Sequence, residues 1–217
     1  TMNKAERIDR VQNTLTEEEL RRRLPEVSLL MDQDVEKATV RSFLKGCPDY
    51  FWELASSSTG KYHAVDERGL HGNWIHTKRV FVAYLALSRT YLEQGLITEL
   101  EREAGKSAAL IHDMLKYGWP SQNREHTASD HDIIGSDVSR YIGGASEATW
   151  SPIHAHNGAW ADGKNPETDF EQILHLADYT ASKPVLGNPK IWNPADEILD
   201  EFPDIETLSD DTLDDLL

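Results

Sequence analysis

TELEREAGKSAALIHDMLKYG, residues 98–118, is the stretch on which the fold turns. Thr98 followed by Glu101 has the spacing of a capping box, in which each side chain satisfies a backbone N–H at a helix start. Leu100, Ala104, Ala108, Ile111 and Leu115 then recur at intervals of four, four, three and four, the period of one buried helix face. The spacing predicts a helix that ends at Gly118. Inside its apolar end sit His112 and Asp113. A carboxylate there costs several kcal/mol, on the order of the burial penalty of an unpaired charge, unless a buried cationic side chain or a metal compensates it.

Working outward, the same period marks most of the chain. Upstream, Ile75, Val82, Leu85 and Tyr91-Leu92 predict a helix broken at Gly95. Thr16-x-x-Glu19 opens a short helix stopped by Pro25, and another is expected over about 34–45, before Gly46-Cys47-Pro48. Residues 48–70 lack a period and read as an irregular segment over the next helix. Downstream, helices are expected over about 130–142, stopped by Gly143-Gly144, and over 146–155. A last strong one is capped by Thr168-x-x-Glu171 and ends before Pro184. No segment alternates as a strand would. The fold expected is all-α, with a solvated acidic tail from about Gly187 that has room for one short helix.

The chain has 217 residues and a formal charge of −16. Ten of those negative charges lie between Asp196 and Asp215, where there is no Lys or Arg, so the rest carries only −6. That balance argues against a protein that wraps extended nucleic acid, although an acidic surface is also what adaptation to high salt produces. A single cysteine, Cys47, excludes an intramolecular disulfide and a cysteine-based zinc site, and points to a reducing, cytoplasmic setting. No apolar run approaches the roughly 18 residues of a membrane helix.

Nine histidines are present, seven of them between His71 and His156. His76 opens one predicted helix, His112-Asp113 ends the next, His131 opens the third, His156 ends the fourth and Asp178 interrupts the apolar run of the fifth. Helical bundles build metal sites in this way, one or two ligands from each helix. His154 competes with His156, and His126 with His131. Lys116 and Arg79, each a turn beyond a candidate ligand, either bind phosphate at one end of the site or are plain surface cations. Lys61, Tyr62 and His63 follow a Ser/Thr/Gly loop that either forms a lid over substrate or is an ordinary connection. Trp160 is expected in the core, with base stacking the alternative.

The ordered set His76, Ile111-His112-Asp113, His131, His156 and Leu176-Ala177-Asp178 resembles the HD superfamily of metal-dependent phosphohydrolases. Further matches are Gly69-Leu70 before Ile75-His76-Thr77, although four residues interrupt the pair, Lys116 three residues after the His-Asp pair, His131-Asp132-Ile133-Ile134-Gly135, and His156-Asn157-Gly158-Ala159-Trp160. The resemblance implies an HD helical bundle at residues 61–185, with an N-terminal helical extension at 2–60 and an acidic tail at 186–217. It implies that His76, His112, Asp113 and Asp178 hold one divalent metal and that Asp113, His131 and His156 hold a second. Mn, Fe, Co, Ni or Zn suit these ligands better than Mg. Asp113 and Lys116 would be catalytic, and Arg79, Lys61, His63 and His154 would contact substrate, a nucleotide or a short single-stranded nucleic-acid end. Two other readings share the ligand set: a di-iron oxygenase, and a non-catalytic metal-binding module.

Overall fold

The computed structural model describes residues 11, 13–183, 189–194 and 204–217. Among them are eight α-helices and no strand, the one extended pairing being a parallel bridge between Ile191 and Thr207. The fold is all-helical, as the periodicity requires.

Helix α1 (Glu17–Arg23) starts at Thr16, whose side chain accepts from Glu19 N, and carries three Glu in its first turn and three Arg in its last. That order complements the helix dipole. A 3-10 turn at Pro25–Leu29 leads to α2 (Gln33–Gly46), capped by Asp32. Two further 3-10 turns, Asp49–Trp52 and Val65–Glu67, interrupt the aperiodic stretch before α3 (Gly72–Glu93).

Helix α3 is the axis of the molecule, about 33 Å long at 1.5 Å per residue. Every residue from Gly72 to Leu85 is buried, because neighbours cover it on all sides. One neighbour is α4 (Glu99–Ile111), whose capping box forms as expected. Gly105 lets the two helices approach: a Cβ there would lie 1.8 Å from the Tyr84 hydroxyl. Helix α5 (His131–Val138) runs into a π-helical turn at Ser139–Gly143, which packs on α2 and is stopped by Gly144 at φ 79°. Helices α6 (Glu147–Ala155) and α7 (Asp169–Ser182) complete the bundle, α7 lying along α3 and α6 against α4. Phe43 of α2 and Leu20 of α1 are fully buried in the same core as Ile75, Leu110 and Leu174.

Two expectations need correction. Regular helix α4 ends at Ile111, not at Gly118. Beyond His112 the chain closes in tight turns, Met114 N donating to Ile111 O at 2.9 Å and Gly118 N to Leu115 O at 3.0 Å. Met114 and Leu115 still reach the core, so the apolar period persists where the helix does not. Nor is the tail simply solvated. Ile191, Ile205 and Leu213 are buried, the last in a short helix α8 (Asp210–Asp214). Arg102 of α4 donates to the carbonyls of Leu216 and Leu217 at 2.5 and 2.6 Å. Among the described tail residues these apolar side chains dock while the carboxylates of Asp204, Glu206, Asp210, Asp211, Asp214 and Asp215 are exposed. Among the described residues no helix is long and apolar enough to cross a membrane.

Candidate metal centre

Five helices deliver donor groups to one buried point. His76 lies in the first turns of α3, His112 and Asp113 directly follow α4, His131 is the first residue of α5, His156 follows α6 and Asp178 lies within α7. His76, His112, Asp113, His131 and His156 are buried, and Asp178 is nearly so. Asp113 stands at the middle. Its Oδ1 is 3.1 Å from His131 Nε2 and 3.4 Å from His156 Nε2, and its Oδ2 is 3.5 Å from His112 Nε2 and 3.7 Å from His76 Nε2. Two sets of donors could each hold an ion, one of His76, His112 and Asp178 and one of Asp113, His131 and His156. The tight turn after Ile111 is what brings Asp113 inward beside His112.

Three of these imidazoles are aimed by one device. Nδ1 of His112 donates to Ala109 O at 2.8 Å, that of His131 to Ala128 O at 2.5 Å, and that of His156 to Ile153 O at 2.6 Å. In each the acceptor is the carbonyl three residues back, and the bond fixes the proton on Nδ1 so that the Nε2 lone pair faces Asp113. Asn157 Nδ2 donates to both His131 Nε2 and His156 Nε2, at 2.8 and 2.9 Å. Beside them the His112 Nε2 lone pair confronts the Asp113 carboxylate, acceptor against acceptor. His112 Nε2 and Asp113 Oδ1 are buried without a hydrogen-bond partner. Such a set repels itself unless a cation lies among the atoms or a ring takes a second proton, and its chemistry fits a divalent metal.

The electrostatics carry the same imprint. Asp113 is held well below the usual carboxylate range, Lys116 and His112 outweighing the burial that opposes its charge. Lys116 Nζ lies 2.5 Å from Asp113 Oδ2. Asp178 is likewise depressed against burial, chiefly by the hydrogen bond from His76 at 3.0 Å. Burial alone would lower the pKa of His76, but Glu67 and Asp178 on its two sides raise it to about 10. His112 is pushed down by burial.

Glu67 escaped the sequence reading. It is fully buried, with Oε2 2.8 Å from His63 Nδ1 and 3.3 Å from His76 Nδ1, and Oε1 2.6 Å from Arg79 Nη1. Asp66-Glu67-Arg68 looks like an exposed charged run, and nothing in its spacing shows that Glu67 turns inward. Asn157 was also passed over. Its only signal was its place beside His156.

The residues expected to contact substrate divide. His63 and Lys116 line a cavity before the cluster, with Asn157 and Asp178. Arg79 does not reach that cavity: its guanidinium is spent on Asp66, at 2.9 Å through Nη1, and on Glu67. A turn beyond His76, it pairs with the two carboxylates of the Val65–Glu67 turn. Lys61 is exposed, its ammonium 5.1 Å from the centre of the Tyr62 ring, and is not among the residues that line the cavity. His154 is half-buried outside it, and its carbonyl accepts from Lys164 N at 3.3 Å. His126 is exposed. Trp160 is 68% exposed, not in the core, because it ends a 3-10 turn, Gly158–Trp160, at the cavity rim.

Comparison with curated proteins and with solved structures returned no match. A family model described as the HD domain matches residues 73–183, just over half of the chain, and spans all six clustered residues. With its all-helical fold and His/Asp groups able to hold a divalent metal, the chain belongs to the HD domain family.

Proposed function

We propose that this chain is a metal-dependent phosphohydrolase that cleaves a phosphate ester of a nucleotide or of a nucleic-acid end. The observation that carries the reading is the buried convergence of His76, His112, Asp113, His131, His156 and Asp178, imidazole nitrogens gathered around two carboxylates beside an open cavity. We assign these six as the metal ligands and residues 61–185 as the catalytic unit, with 2–60 as its N-terminal extension and 186–217 as the acidic tail. A divalent metal held there supplies an activated water and neutralises the phosphoryl oxygens.

The chain's own groups do the rest. Asp113, kept ionised by Lys116 and His112, stays acceptor-only and centres the imidazoles. Lys116, at the cavity wall and bound to Asp113, presents its remaining N–H bonds to a phosphoryl oxygen. Asn157 stands between the two Nε2 atoms and the cavity, where its amide orients whatever binds. In the reaction the water oxygen forms the new P–O bond, the ester P–O bond breaks, and the leaving alcohol takes up a proton.

The test is phosphate release from a panel of nucleotides, cyclic dinucleotides and short oligonucleotides with Mn, Co, Ni, Zn or Mg, with metal content determined on the purified protein. Release that stops with chelator, and an Asp113→Ala protein that keeps its helix content but neither binds metal nor turns over, are the expected results. A fully active Asp113→Ala protein overturns the reading. About two bound irons with oxygen-dependent turnover and no hydrolysis would establish the oxygenase instead.

A further inference from the structure

The cavity in front of the metal ligands, about 450 Å³, changes character from floor to rim. The floor is polar: His63, Lys116, Asn157 and Asp178. The rim is aromatic: Tyr62, Trp160 and Tyr179, with Lys183 among them. All three rings are exposed, Trp160 at 68%, Tyr62 at 53% and Tyr179 at 38%. Large apolar surface gathered at one mouth is surface kept for a ligand.

The rings are also ordered. Trp160 lies parallel to Tyr179, centroids 5.8 Å apart and planes 13° from each other, and parallel to His175 at 5.5 Å and 22°. Its loop is anchored. Asp162 N donates to Ser129 O at 2.9 Å, Ser129 Oγ to Asp162 Oδ2 at 2.7 Å, and Gly163 N to Asp132 Oδ2 at 3.2 Å. Gly158 enters the loop at φ 54°, where a Cβ would press on the His175 ring at 3.2 Å. The Lys183 ammonium lies 4.0 Å from the centre of the Tyr62 ring and 5.1 Å from that of Tyr179. One ammonium thus sits against both phenol rings at the cavity mouth.

Resting on the phosphohydrolase reading, we propose that Trp160 and Tyr179 form a stacking platform for the base of a nucleoside phosphate. Tyr62 closes over the base from the other side. Lys183 leaves the two phenol rings and pairs with the anionic part of the substrate. The site takes a base and not a cation, because the mutually stacked Trp160 and Tyr179 rings present a flat aromatic face and because two lysines, 116 and 183, line the same cavity and repel positive charge. It takes one nucleotide and not a long polymer, since the platform spans one ring and the chain carries a net charge of −16.

The experiment is calorimetric binding of AMP, ribose 5-phosphate and phosphocholine to the full chain, with KM for the same three esters. AMP is expected to bind about tenfold or more tightly than ribose 5-phosphate, the usual size of one base-stacking contribution. That advantage should shrink toward unity in Trp160→Ala and Tyr179→Ala and persist in Tyr179→Phe, which keeps the ring. Equal binding of AMP and ribose 5-phosphate to the wild-type protein overturns the platform without recourse to any variant. So does an advantage that survives both alanine substitutions, or phosphocholine binding more tightly than AMP. AMP that binds with a base-dependent advantage yet is never hydrolysed upholds the platform and removes the hydrolase reading. Equal KM for AMP and ribose 5-phosphate, both cleaved, does the reverse.

Discussion

Glu67 is the residue whose removal says most about how the centre is held. Its Oε2 lies between two imidazole Nδ1 atoms, and its Oε1 takes Arg79. His63, Glu67 and His76 are close enough together to hold an ion of their own. That carboxylate is already paired with the Arg79 guanidinium and the His63 ring, with His76 beside it, so a positioning part for His76 is the better account. A carboxylate behind a ligand histidine typically contributes about 10–100-fold in metal affinity. Glu67→Gln should therefore weaken metal binding by about that factor in a chelator competition, with helix content retained. Unchanged affinity would mean that Glu67 only balances Arg79. The six clustered residues were legible in the sequence because each interrupts or borders a periodic helix. Glu67 was not, since it sits in an aperiodic segment where burial leaves no trace in the spacing. Arg79 misled for the opposite reason: a cation one turn from a ligand looks free until its carboxylate partners, distant from any motif, are seen.

Among the elements, α3 carries a buried ion pair that tests its seating. Lys78 and Glu26 are both fully buried and bonded to each other, and burial pushes each toward its neutral form. Removing one partner leaves a buried charge alone, at a cost of about 3–5 kcal/mol. Lys78→Met should lose about that much in urea unfolding. The double variant Glu26→Gln/Lys78→Met should regain most of it, and a double variant no more stable than the single would show that the pair is not the cause. Helix starts were readable here because Thr16, Thr98 and Thr168 advertise them chemically. Ends were harder. Past Ile111 the apolar period runs on through tight turns, and in the tail the acidic residues hid three apolar ones that dock. Trp160 shows the same limit: size and aromaticity suggested the core, while its loop carries it to the rim.

For the molecule as a whole, the charge cluster ties stability to pH and to metal. His76 has a raised pKa, so in protein stripped of metal its contribution is complete below about 6.5 and is lost as the pH climbs toward about 10. Glu67, Asp113 and Asp178 have lowered pKa values, so theirs is present above the ordinary carboxylate range and lost on acidification. His63 and His112, buried in their neutral forms, add to the acid loss. Urea midpoints of the stripped protein should accordingly fall on both sides of mildly acidic pH. Metal must displace the His76 proton, so stabilisation by added Mn should grow from pH 6.5 upward, with proton release measurable by calorimetry in buffers of different ionisation enthalpy. A metal effect independent of pH would place the ion away from His76.

The three ring-to-carbonyl bonds from His112, His131 and His156 also bear on how such a centre can change through mutation. A peptide carbonyl is present whatever codon stands at positions 109, 128 and 153, so the direction of these rings is inherited from the path of the main chain. Neighbouring codons are free to drift, and with them the shape and selectivity of the cavity, while the aim of the rings toward Asp113 passes unaltered from one variant to the next.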